Sequence, residues 1–230
     1  MFCDSDDTLA SYFVLKDSFD FISKNNADIY CLNFLEEFLQ DNRFEYITKG
    51  TNITWVFSKI YRTAFLRENN IRFSKELLYH EDSYFNGLCV GCKAVIIPIN
   101  ITGYIWKYNH ESITRRNNHE YTCKSCSEHI KSIELVQDKY AIRNLKSDET
   151  QRILIQFFGL IYHNVYTIFK NSEYRKEIEG ALSQLIKKHD PNLLCTTPPW
   201  RSVVNAGILQ GFISTFAPDE LFEHFILRIT

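Results

Sequence analysis

The chain has 230 residues, 45% of them hydrophobic and 15% aromatic, which is enough apolar material for one good core or one and a half domains. A formal charge of −2 leaves no basic footprint for nucleic acid, and eight glycines and five prolines argue against long low-complexity tracts. Seven cysteines without regular spacing argue against a disulfide framework and fit a reducing cytoplasm, and the acidic start carries no apolar signal-peptide core.

In chain order, Met1-Phe2-Cys3 runs directly into Asp4-Ser5-Asp6-Asp7, three carboxylates within four residues. At the lip of a sheet such acids can hold Mg²⁺ or Mn²⁺ through hard oxygen donors against a phosphate-bearing substrate. Asp6 or Asp7 can equally cap a helix that begins at Thr8. Apolar positions at Leu9, Tyr12, Phe13, Leu15, Phe19 and Ile22 predict a helix over residues 8–24. Residues 28–34 predict a short strand, and 36–50 a polar loop or hairpin. Residues 54–69 predict a helix with a wide apolar face, on which Trp55 and Tyr61 read as core and Lys59 and Arg62 as solvated cations. A helix over 82–93 follows, with Glu81 and Asp82 at its start, and then two strands, 93–99 and 101–108, divided by Pro98.

Beyond Arg116 the pattern is helical throughout. Helices are predicted near 119–144, 149–170, 173–189 and 218–229, with a shorter one around 201–215, and Pro198-Pro199 marks a break. The boundary between a mixed part, 1–117, and a helical part, 118–230, is placed at Asn117-Asn118. Residues 153–169 carry no formal charge but fall short of the ~20 apolar residues of a spanning helix, so they read as a buried helix, with at most peripheral membrane association. His119, Cys123, Cys126 and His129 suggest zinc by spacing, yet on one helix they form a single stripe that cannot surround an ion tetrahedrally.

Four elements combine: D-S-D-D at residues 4–7, W-x-x-x-K-x-Y-R at 55–62, E-D at 81–82, and H-x-S with I-T-R at 110–115. In order and spacing they resemble the inverting family 2 glycosyltransferases of bacterial surface-polysaccharide synthesis, over about residues 1–116. The resemblance implies an α/β fold: a partial GT-A domain, Rossmann-like with a small mixed sheet, followed by an all-helical C-terminal region. The location expected is the cytoplasm, either free or at the inner face of the cytoplasmic membrane. The implied reaction carries a sugar from a nucleotide-diphosphate sugar to a glycan or lipid-linked acceptor, with Mn²⁺ or Mg²⁺.

Carried over by the same resemblance, Asp82 is the general base and Glu81 a neighbouring carboxylate that orients it or binds the acceptor. Asp6 and Asp7 contact the metal, with Asp4 as a third ligand leaning toward the nucleotide. His110 and Ser112 contact the diphosphate, while Lys107 and Trp55 complete the substrate-binding set. His110 and Ser112 are two residues apart, so on an extended segment they point the same way. Where that family has a βαβαβ unit gripping base and ribose, only Met1, Phe2 and Cys3 precede the acids. The expectation is therefore either a transferase completed by a separate chain or a non-catalytic remnant acting as an interaction module. Two corollaries are that the strand at 28–34 keeps an unpaired edge and that residues 1–230 alone bind nucleotide sugars poorly.

Overall fold

The computed structural model describes residues 1–50, 54–112, 119–142 and 174–188. The chain divides into two compact units, Met1–Ser74 with Glu81–Asn117, and Lys75–His80 with Asn118–Thr230.

The first unit is built on a mixed five-stranded sheet with β1 (Thr8–Leu9), β2 (Ile29–Gln40), β3 (Arg43–Lys49), β4 (Lys59–Tyr61) and β5 (Ile96–Trp106). β2 is its centre. Along one edge it runs parallel to β5, and along the other it pairs antiparallel with β4 through Ile29–Cys31 and with β3 through Phe34–Gln40. The expected unpaired edge at residues 28–34 is thus overturned, since β2 is paired on both sides and the edges of the sheet are β1 on one side and β3 with β4 on the other. The unbroken run Ile29-Tyr30-Cys31-Leu32, all buried, is the pattern of a strand covered on both faces.

Residues 36–50 form a hairpin, not an irregular loop. Its two-residue turn, Asp41-Asn42, has φ of 49° and 60°, the left-handed pair that a hairpin of this length needs and that Asp and Asn tolerate. β5 is one strand where two were predicted. The chain passes the exposed Pro98 and absorbs the irregularity further on, where Leu32 pairs with Ile99, Asn33 with Thr102 and Phe34 with Tyr104. Gly103 sits at this bulge because a Cβ there would lie 2.5 Å from Leu32 Cδ2.

The helices of this unit are α1 (Val14–Ile22), α2 (Thr63–Glu68) and α3 (Glu81–Gly91). α1 starts later than its apolar pattern predicts because Thr8 and Leu9 are taken by the sheet, opposite Ile105 and Tyr104. Residues 54–58 are not helical. Ser58, fully buried at φ 53°, reverses the chain there, and its Oγ lies within hydrogen-bond distance of the carbonyls of Leu32 (3.1 Å) and Asn33 (2.9 Å). Sheet pairing overrides the local helical period.

Two aromatic clusters fill the space around the sheet. Trp55, Phe57 and Tyr104 stack in sequence, with centroids 5.6 and 4.9 Å apart, and Phe34 and Trp106 pack against them. Phe2 packs edge-on against Tyr61, Phe73 and Phe85 and forms a bridge with Phe57, which anchors the start of the chain. Arg62 is an ion-pair partner of Asp28, whose other oxygen accepts the Val95 N–H at 2.8 Å.

In the second unit, α4 (His119–Ile142) and α5 (Tyr174–Lys188) are the described helices. The segment 75–80 lies on α4. The His80 ring stacks on His129 at 4.2 Å and bonds Ser125 Oγ at 2.8 Å, Leu78 N–H donates to Glu128 at 2.9 Å, and Lys131 Nζ donates to the Glu76 carbonyl at 2.7 Å. Residues 119, 123, 126 and 129 all fall on α4, and among the described residues no group of three metal-binding side chains is assembled. The predicted helices near 149–170, 201–215 and 218–229, and with them residues 153–169, lie outside the described residues. No described helix is long and apolar enough to cross a membrane.

Candidate active site

The antiparallel register of β1 on β5, Thr8 opposite Ile105, places the residues that precede β1 beside those that follow β5. The opening acids therefore meet the loop that carries Lys107, Asn109 and His110. Asp7 is the pin of this arrangement. Its Oδ2 accepts the Tyr104 hydroxyl at 2.7 Å and its Oδ1 accepts the Lys107 N–H at 2.9 Å. Tyr104 Oη in turn accepts the Asp4 N–H at 3.0 Å, and a turn closes the motif through Asp7 N–H to the Asp4 carbonyl at 3.2 Å. Asp6 Oδ2 accepts Asn109 Nδ2 at 2.9 Å, while Asn109 Oδ1 accepts the Glu111 N–H at 2.9 Å and its carbonyl the Ser112 N–H at 3.1 Å. Sequence reasoning missed Tyr104 and Asn109. Each reads locally as an ordinary residue of a strand or loop, and the partners lie about a hundred positions away.

The acids share one electrostatic field. Burial raises the Asp4 and Asp7 carboxyls above the usual range. For Asp4 the charge of Asp6 adds to that rise. For Asp7 the hydrogen bonds from Tyr104 and Lys107 oppose it, and the charges of Asp6 and Asp4 add to it. Burial, with the Asp7 and Asp4 charges, pushes the Tyr104 phenol up despite the Asp4 N–H, so it stays a donor.

Asp82 enters from the first turn of α3. Its Oδ2 accepts the Val56 N–H at 2.9 Å from the loop before β4, so the side chain is tied to another segment as well as standing at a helix start. Its carboxyl is pushed up to about 7, chiefly by burial. The Val56 bond and the cation of Lys59 oppose that rise, while the charges of Glu81 and Asp4 add to it. The acid of α3 thus feels the charge of Asp4 at the chain start. Glu81 is half-buried next to it.

The remaining expected residues are placed as follows. His110 is exposed, with Nε2 3.8 Å from Glu111 Oε1, and Ser112 is half-buried. Lys107 contributes its backbone N–H to Asp7 and exposes its side chain. Trp55 is half-buried in the aromatic stack. Lys59, read from the sequence as solvated, is 1% exposed.

For a divalent ion, the donor chemistry fits one shared with a ligand. The hydrogen bonds on both oxygens of Asp7 orient that carboxylate but leave each oxygen a further lone pair, so Asp4, Asp6 and Asp7 all offer hard donors, although among the described residues the three are not gathered into one closed group. Mg²⁺-type ions bound with phosphates use one or two carboxylates plus water and phosphate oxygens rather than a closed protein cage.

The fold that carries this site is a glycosyltransferase fold, with a small mixed sheet. Among solved structures it is shared by S. aureus TarS. TarS 1-349 in complex with UDP-GlcNAc matches with a TM-score of 0.57 at 17% identity, over 92% of this chain and 67% of that one. TarS 1-349 in complex with UDP matches at 0.51 and 18%, over 96% and 69%. A further S. aureus TarS structure matches at 0.53 and 18%, over 92% of this chain and 38% of that one. No protein-family model matches the chain, and no curated protein sequence matches it.

Proposed function

We propose that this chain is a glycosyltransferase that moves a hexose from a nucleotide-diphosphate sugar to a hydroxyl of a glycan or lipid-linked acceptor, with inversion, in surface-polysaccharide synthesis. The observation that carries the reading is the pairing of Asp82, a buried carboxyl raised to about 7, with the charge of Asp4 in the pinned motif at residues 4–7, in a fold shared with a protein solved with UDP-GlcNAc. Asp82 takes the proton of the acceptor hydroxyl, the acceptor oxygen bonds to the anomeric carbon, and the sugar–phosphate C–O bond breaks with its electron pair going to the diphosphate. A general base works best with a pKa near the operating pH, and burial supplies that shift here. Glu81 orients the acceptor beside it. Asp6 and Asp7, with Asp4, would supply the carboxylates for Mn²⁺ or Mg²⁺, which would neutralise charge on the departing diphosphate. Asp7, Tyr104 and Lys107 N–H keep the acids against the loop of His110 and Ser112, whose proposed role is to contact the phosphates.

The test is Mn²⁺ titration followed by paramagnetic broadening, with and without UDP-sugars, together with a turnover assay. UDP-sugar should concentrate the broadening on Asp4, Asp6 and His110. In any form of the protein that transfers sugar, completed by a separate chain where one is needed, Asp82→Asn should lower turnover by ~10²–10⁴ while leaving nucleotide binding within about twofold. Broadening centred elsewhere, or turnover unchanged in Asp82→Asn, overturns the reading.

A further inference from the structure

Lys59 opens β4 opposite Cys31 and is 1% exposed, so its ammonium sits where a cation is costly unless it is held. It is held by the carbonyl of Trp55, which accepts a hydrogen bond from Nζ. The same carbonyl accepts Asn86 Nδ2 from α3 at 3.0 Å. Asn86 also donates to the Thr54 carbonyl at 3.2 Å and accepts the Tyr61 hydroxyl at 2.8 Å. The Trp55 carbonyl and the Val56 N–H belong to one planar peptide and point in opposite directions. That N–H is the donor to Asp82 Oδ2, at 2.9 Å. A cation on the oxygen end therefore orients the donor end toward Asp82 and polarises it.

We infer that Lys59 is a positioning residue for Asp82: through the Trp55–Val56 peptide it holds the base in one orientation and favours its ionised form. The inference rests on the base role proposed above but concerns a linkage that exists whether or not sugar is transferred. The titratable groups facing the pair are Glu81 on α3 and Asp4 at the chain start, both acting on Asp82, the Tyr61 phenol on β4, which feels Asp82, and the Cys31 thiol on β2, beside Lys59. Burial lowers the ammonium to about 8, against the pull of Cys31 and Asp82, so it remains mostly charged at pH 7. A residue that only filled space at this position would have no effect on how Asp82 titrates.

The experiment follows the Asp82 carboxyl carbon and the Val56 amide by NMR in metal-free buffer, in the unsubstituted protein and in Lys59→Met, with Asp82→Asn for assignment. In the unsubstituted protein the Val56 amide should move in two steps, near 7 as Asp82 ionises and near 8 as Lys59 discharges. In Lys59→Met the second step should vanish and the Asp82 midpoint should rise by about one unit, as for loss of a nearby opposite charge. The acid limb of the pH profile of kcat should shift with it, at unchanged KM. A single step at Val56 in the unsubstituted protein, or a folded Lys59→Met with an unmoved midpoint, overturns the inference. Because the two-step titration is read on the unsubstituted chain, it decides the matter even if Lys59→Met does not fold. If Asp82→Asn leaves turnover unchanged while the two steps persist, the base role fails and the linkage stands.

Discussion

Tyr104→Phe is the sharpest perturbation of the site, because it removes one oxygen and keeps the ring stacked on Phe57 at 4.9 Å. That oxygen makes two bonds, donating to the Asp7 carboxylate at 2.7 Å and accepting the Asp4 N–H at 3.0 Å. A hydrogen bond to a charged group contributes ~1.5–3 kcal/mol and a neutral one ~0.5–1.5 kcal/mol. Both acids stand partly in water, which can replace some of what is lost, so a net destabilisation of about 2 kcal/mol is expected. Lys107 N–H would still hold one oxygen of Asp7, so the acids should loosen without detaching. Urea unfolding of Tyr104→Phe should show a lower midpoint at unchanged slope, and Mn²⁺-dependent nucleotide-sugar binding should weaken by more than tenfold. A loss under ~0.5 kcal/mol with unchanged binding would show that the hydroxyl does not order the acids and would refute the pin.

Three further outcomes are expected. Gly103→Ala should cost ~1–3 kcal/mol in urea unfolding, because its Cβ would meet Leu32 Cδ2 at 2.5 Å in a buried bulge; a neutral effect would mean that β2 and β5 can separate there. Asp82 binds its proton more tightly in the folded chain, at about 7, than in the unfolded one, so its contribution to stability falls as pH rises from the unfolded carboxyl range through 7. Asp82→Asn should therefore gain stability relative to the unsubstituted protein between pH 5 and pH 8, by ~1–3 kcal/mol, and a difference that does not vary with pH would count against the burial of this carboxyl. His80 has the opposite sign: burial lowers its imidazole to about 4, so stability is lost as pH falls from the unfolded range near 6.5 through 4. Hydrogen exchange in α4 should accelerate over that window, and less so in His80→Gln.

Local pattern was enough for some of this protein and not for the rest. The strand at residue 29, the helix at 81–91 and the helical character of 119–142 follow from apolar period and from the acids at a helix start, all of which act within a few residues. The mixed α/β fold expected from the resemblance of D-S-D-D, E-D and H-x-S to a glycosyltransferase family is the fold found, while the roles of those motifs are matters for the experiments above. What no window could show was pairing. Thr8 and Leu9 fit a helix and became β1 because Ile105 and Tyr104 lie opposite them, and residues 54–61 fit a helix but join β2 through Ser58 and β4. Lys59 looked like a solvated cation until the reversal at Ser58 turned its ammonium onto the Trp55 carbonyl. Tyr104, Asn109 and the Val56 N–H hold the acids from distant points of the chain, as hydrogen bonds between groups that only the register of β1 on β5 and the placing of α3 bring within 3 Å. A carboxylate's identity is written locally, but its orientation and proton affinity depend on burial and on neighbouring charges, and those are properties of the tertiary structure.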